Sequence, residues 1–299
     1  MYGLAWPAVT QSVTYSWRRR GARDTRRFYS PAVRTLAREL GVDPASLLGR
    51  GVDGRVTRED VLSAGGRTQQ ANAASRDEIV PFDNIRRRTA VGLLASKRTI
   101  PHALTIAAAD YGAIDAARRA TGLTALPFVA RAIVDALREF PRMNATTTDD
   151  GSAVVLHRAV HLGIAVDLDF QGLVVPVVHD ANGLRLRALA AAIRAVAARA
   201  RARKLVPDDL AGGTFTITNP GASGTWISFP VINRPQVGIL ATDGVSKQVV
   251  ATEDGKLGIT PIGHLCCAFD HRAVDGAYAG AFVERVRDIV ETRDWIKEL

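Results

Sequence analysis

Near the C-terminus, the stretch FDHRAVDG (Phe269–Gly276) places His271 four residues before Asp275. Histidine is the side chain best suited to take and return a proton near neutral pH. Held on a rigid turn, it is a candidate base for activating a thiol or hydroxyl in acyl transfer. A second candidate lies 53 positions earlier, in GGTFTITNPG (Gly212–Gly221). This reads as a strand entering a tight glycine-bearing turn. Thr218, at the strand end, could donate a hydrogen bond to the oxyanion formed when a thioester carbonyl is attacked. The alternative is a threonine that satisfies its own turn.

These groups need elements to position them. Ile262–Phe269 is mostly apolar and predicts a buried strand, while Phe282, Val286, Ile289 and Val290 recur at helical spacing. Asp275-Gly276 then sits at a strand-to-helix junction, where the helix-start N–H groups and dipole favour a carboxylate. Helices are predicted over 130–137 and 186–200. Strands are predicted over 154–166, 172–178, 214–218 and 237–241, rich in Val, Ile and Thr. Alternation of this kind from residue 78 to 299 predicts a single α/β domain. Cys266 and Cys267 fall in the buried strand and read as small core residues on opposite faces.

The other histidines take plainer readings. His157 and His161 are four apart, a metal-ligand spacing only on a helix, and lie in a strand-like stretch, so no metal is expected. His102, His179 and His264 have no acid at a useful spacing. The arginines of 186–204 read as a solvated face, with phosphates of coenzyme A (CoA) as the lesser alternative.

The formal charge of +9 is uneven: residues 1–38 hold eight arginines and one acid. Nucleic-acid binding competes as an explanation, but the large domain lacks a basic stripe interleaved with aromatics. No apolar run is long enough to span a bilayer, and two adjacent cysteines suggest no disulfide framework. The expectation is a soluble, cytoplasmic protein. Residues 1–29 read as a disordered basic arm, and 66–77 as a polar linker.

Residues 30–65 read as a two-helix module. Ser30 can cap and Pro31 can open a helix whose apolar face is Val33, Leu36, Ala37 and Leu40. Thr57-Arg58-Glu59-Asp60 looks like a capping box for a second, short helix. Gly49–Gly54 is formally GxGxxG, but it joins two helices rather than following a strand, so a dinucleotide reading fails. The order SPAVRTLARELGVDPASLLGRGVDGRVTREDV strongly resembles the peripheral subunit-binding domain of 2-oxo acid dehydrogenase acyltransferases. The resemblance implies docking of a partner enzyme through Arg34, Arg38 and Arg55 against acidic residues.

GGTFTITNPG, FPVINRPQVGIL and FDHRAVDG, in that order, resemble the catalytic domain of dihydrolipoyl acyltransferases and, more distantly, chloramphenicol acetyltransferase. The resemblance implies a mixed-sheet catalytic domain over 78–299 and trimers with active sites between subunits. CoA would enter from one side and the acceptor from the other. It assigns His271 as base, Thr218 as oxyanion donor and Asp275 as a group holding local geometry through an ion pair. No lysine precedes Lys97, so no covalent lipoyl group is expected on this chain. On that ground the preferred reading is a free-standing CoA-dependent acyltransferase, with acetyl as the expected group and a small-molecule hydroxyl or thiol as acceptor, as in natural-product pathways such as those making tetronate rings. The alternative is the core of a 2-oxo acid dehydrogenase complex with its lipoyl domain on another chain. A non-catalytic scaffold is a third reading.

Overall fold

The computed structural model describes residues 29–71, 78–251 and 255–298. The basic arm, apart from Tyr29, and residues 72–77 lie outside them. The chain divides into two compact units between Pro81 and Phe82.

The first unit contains α1 (Pro31–Glu39) and α2 (Arg58–Ala71). The Ser30 hydroxyl accepts from the Val33 N–H at 3.3 Å, and Pro31 takes the first helical position. Val33, Ala37 and Val61 are buried together, with Leu36 and Leu40 packed on them. Thr57 and Asp60 cap α2 reciprocally. The Asp60 carboxylate accepts from the Thr57 N–H and hydroxyl, and the Thr57 hydroxyl accepts from the Asp60 N–H. The expected linker start at residue 66 is corrected: α2 continues through Gly65 and Gly66 to Ala71.

The second unit runs α3 (Asn84–Thr99), β1 (His102–Asp110), α4 (Gly112–Thr121), α5 (Leu126–Glu139), β2 (Ala145–Thr147), β3 (Val154–Leu156), β4 (Leu162–Ile164), β5 (Val166–Asp167), β6 (Leu173–Val174) and β7 (Val177–Val178). It continues with α6 (Leu186–Arg201), β8 (Phe215–Thr218), β9 (Gly238–Thr242), β10 (Ser246–Ala251), β11 (Leu257–Asp270) and α7 (Gly276–Thr292). The main sheet has the order β1-β11-β9-β8-β4-β7, with β10 also pairing β11. It is mixed: β4, β8 and β9 are parallel, and the remaining neighbours are antiparallel.

Alternation along β11 sorts its side chains. Leu265, Cys267 and Phe269 enter the large core with Phe282, Val286 and Val290 of α7. Ala268 belongs instead to a smaller cluster on the other face with Ile100, Ile232 and Ile239. The two cysteines are both buried and lie on opposite faces, as expected. The single strand expected over 154–166 breaks into β3, β4 and the start of β5. His157–His161 forms the connection, so those histidines are not on a strand.

Candidate active site

His271 immediately follows β11, and its backbone is braced on both sides. Its N–H donates to Pro101 O at 3.1 Å. The preceding residue, Asp270, is fully buried and accepts from Arg272 through Nε and, at 2.6 Å, Nη2. The Asp270 carboxylate raises the Arg272 pKa further above its ordinary value. Gly151, at φ +70°, lets a neighbouring loop pass over this pair: a Cβ there would lie 2.9 Å from Arg272 Nη1. Sequence reasoning missed this brace, although both charged residues flank His271 inside the motif.

The imidazole itself is open, with 49% of its side chain exposed. Nδ1 lies 3.8 Å from Asp275 Oδ1, and that carboxylate is 90% exposed. A pair so exposed is worth little by itself. Asp275 occupies the N-cap position of α7, but its side chain makes no capping hydrogen bond. The expected tie to the helix start is thus replaced by an approach to His271.

Thr218 ends β8 and is half-buried. Its hydroxyl makes no hydrogen bond among the described residues. The turn beyond it is satisfied instead by Asn219, whose Oδ1 accepts from the Gly221 N–H at 3.2 Å. The hydroxyl opens into a cavity of about 850 Å³, walled by Leu173, Val175, Ile232 and Ile239 and flanked by Arg88 and Arg234. The lining combines apolar walls, one uncommitted hydroxyl, two arginines and the Asp149 carboxylate.

Within one chain the two groups do not meet. Thr218 pairs with Ala241, and Ala241 with Cys266, five residues before His271. At about 4.8 Å per strand spacing and about 3.3 Å per residue, they lie roughly 19 Å apart. Because β8 and β11 run in opposite directions, Thr218 and His271 sit at opposite ends of the strands.

The remaining histidines are held by structure. His102 donates from Nδ1 to Ile100 O at 2.9 Å and accepts at Nε2 from the Ile232 N–H at 3.1 Å, and burial pushes its pKa down. His157 Nε2 lies 3.0 Å from the Thr146 hydroxyl, and burial lowers its pKa too. His161 accepts from the Asp180 N–H, and His179 donates to Asp208 O. His264 is buried against Trp226. Among the described residues, no three His, Cys, Asp or Glu are grouped to hold a metal ion. In the first unit, Arg34 and Arg38 share an exposed face of α1, and Arg55 is exposed beyond the turn; none makes an ion pair among the described residues.

Residues 74–296 match the 2-oxoacid dehydrogenases acyltransferase (catalytic domain) family, and residues 27–62 match the E3 binding domain. The lipoamide acyltransferase component of the branched-chain alpha-keto acid dehydrogenase complex from Pseudomonas putida is 37% identical over 279 residues. That alignment covers 88% of this chain and 66% of the relative's length. Azotobacter vinelandii dihydrolipoamide acetyltransferase, studied for the roles of a serine, a histidine and an asparagine in its catalytic mechanism, superposes with TM-score 0.70 at 30% identity, covering 73% of this chain and 93% of that one. The cubic core of a pyruvate dehydrogenase multienzyme complex gives the same TM-score at 31% identity and the same coverage of both chains.

These findings overturn the preferred sequence reading of a free-standing small-molecule acyltransferase for natural-product biosynthesis. Both named relatives are lipoamide or dihydrolipoamide acyltransferases, and the chain spans about two thirds of the longer one. A lysine missing from this stretch therefore cannot weigh against a lipoyl acceptor. The chain belongs to the 2-oxoacid dehydrogenase acyltransferase family.

Proposed function

We propose that this chain forms the acyltransferase core of a 2-oxo acid dehydrogenase complex, moving an acyl group between a dihydrolipoyl sulfur and CoA. The observation that carries the reading is the uncommitted Thr218 hydroxyl in its cavity, with a histidine of matching chemistry at the far end of the same sheet. A second copy resolves the separation: His271 of one chain serves Thr218 of another. The cubic core formed by a relative supports such self-association. In the Azotobacter relative the studied asparagine follows the studied histidine by four positions, the same interval as His271 and Asp275.

His271 takes the proton from the attacking thiol, and the thiolate forms a new C–S bond to the thioester carbonyl. Thr218 donates a hydrogen bond to the oxyanion as negative charge develops there. When the old C–S bond breaks, the His271 imidazolium returns its proton to the departing sulfur. Asp275 Oδ1, 3.8 Å from Nδ1, is placed to orient the imidazole. Arg34, Arg38 and Arg55 supply an exposed basic face for an acidic dehydrogenase partner. The test is incubation with acetyl-CoA or a branched acyl-CoA and either dihydrolipoamide or a simple hydroxyl acceptor, following CoA release. Release with dihydrolipoamide is expected; release only with the hydroxyl acceptor, or with neither, contradicts the reading.

A further inference from the structure

Asp243, just beyond β9, is a 3% exposed carboxylate that the mechanism does not use. Its Oδ1 accepts from the Ser228 hydroxyl, and its Oδ2 accepts from the Ser228 N–H at 3.1 Å. The carboxylate therefore grips Ser228 by both main chain and side chain. Ser228, Phe229 and Pro230 form a wall of the Thr218 cavity. The backbone of Asp243 and Gly244 holds the other end of the same segment. A Cβ on Gly221 would lie 2.5 Å from the Asp243 carbonyl carbon, so the turn after Thr218 rests directly on it. The Gly244 N–H donates to Thr225 O at 2.7 Å, and the Asp243 N–H ties the assembly to His264 O of β11 at 3.1 Å. Between these anchors, residues 219–230 contain one short 3₁₀ turn at Pro220–Ser223 and expose Trp226 and Phe229. Among the described residues the segment's own hydrogen bonds lie within 219–225, so residues 226–230 depend on the anchors for position.

We infer that Asp243 is a positioning residue for the acyl-transfer site, fixing the cavity wall at Ser228–Pro230; the inference rests on the proposed role of the Thr218 cavity. Thr218 itself is held independently by the pairing of β8 with β9 and β4. Loss of the clamp should thus weaken substrate binding more than it slows the chemical step.

The experiment combines steady-state kinetics, using acetyl-CoA and dihydrolipoamide, with hydrogen exchange of the 219–230 amides. Asp243→Ala raises KM about 10-fold while kcat falls no more than about 3-fold, and exchange over 219–230 quickens. Asp243→Asn retains an acceptor for the Ser228 N–H and can donate to its hydroxyl, so KM stays within about 2-fold. Should Asp243→Ala not fold, Ser228→Ala removes only the hydroxyl half and raises KM about 3-fold with faster local exchange. Unchanged exchange and KM in the folded alanine variant overturn the inference, as does an Asp243→Asn protein as impaired as Asp243→Ala. If the wild-type protein transfers no acyl group, the proposed function fails, and the exchange comparison still decides whether Asp243 is the clamp.

Discussion

At one end of the central sheet His271 stands on a rigid backbone with its side chain open; at the other, Thr218 sits inside a walled cavity. The first end is braced beneath by the bonds from Arg272 to the buried Asp270 carboxylate, while the imidazole and Asp275 project outward. The second end places its hydroxyl among Leu173, Val175 and Ile232, with no protein partner among the described residues. One end has the form of a plug and the other that of a socket. The imidazole stands open at one end, and among the described residues the cavity at the other end is lined by no histidine. Their separation, roughly 19 Å diagonally over the sheet, explains why one chain cannot join them.

The comparison can be broken at either end. His271→Ala removes the proton carrier, and kcat should fall about 10³-fold with the fold intact by circular dichroism. Survival of activity would show that the exposed imidazole is not the base. Thr218→Ala should cost about 10²-fold in kcat with KM little changed, and Thr218→Ser should recover most of it. A rate near that of wild type in Thr218→Ala would return the hydroxyl to a turn role.

The smallest effect concerns His102, which helps seat Ile232 beside the cavity. Burial lowers its folded pKa below the unfolded value of 6.5, so the unfolded chain binds more protons as pH falls past that value. Stability should therefore be flat above about pH 6.5 and decline below it. His157 is lowered in the same direction and contributes in the same window. The depressed carboxylates, such as Asp150 at about 2, act only at lower pH. Thermal unfolding between pH 5 and 8 should show a shallower decline for His102→Gln; an identical profile would remove His102 from this account.

Much of the His271 end was legible because a change of hydrophobic period, from strand to helix, marks the motif in one continuous stretch. The brace was harder to read: charge alternation around His271 does not say that Asp270 is fully buried. The Thr218 end was legible only as a strand and turn. Its cavity is assembled from α3, β6 and the segment over 228–235, which no local pattern connects. The alanine-rich HALTIAAAD gives little strand signal, yet it forms β1 because nine consecutive residues pair with β11. Conversely, Val154–Val166 has strand composition throughout but turns at His157–His161, where backbone and side-chain bonds to Asn144, Thr214 and Asp180 capture the chain. Gly65-Gly66 looks like punctuation, but α2 runs through both residues.

The central claim is that base and oxyanion donor come from different copies. Co-expression of the His271→Ala chain with the Thr218→Ala chain tests it directly, since each chain carries the group the other lacks. Random mixing around a ring of head-to-tail interfaces leaves about a quarter of the sites with both groups intact, so about a quarter of wild-type activity should return. Mixed assemblies as inactive as the separate variants would show that both groups act within one chain, and would contradict the account.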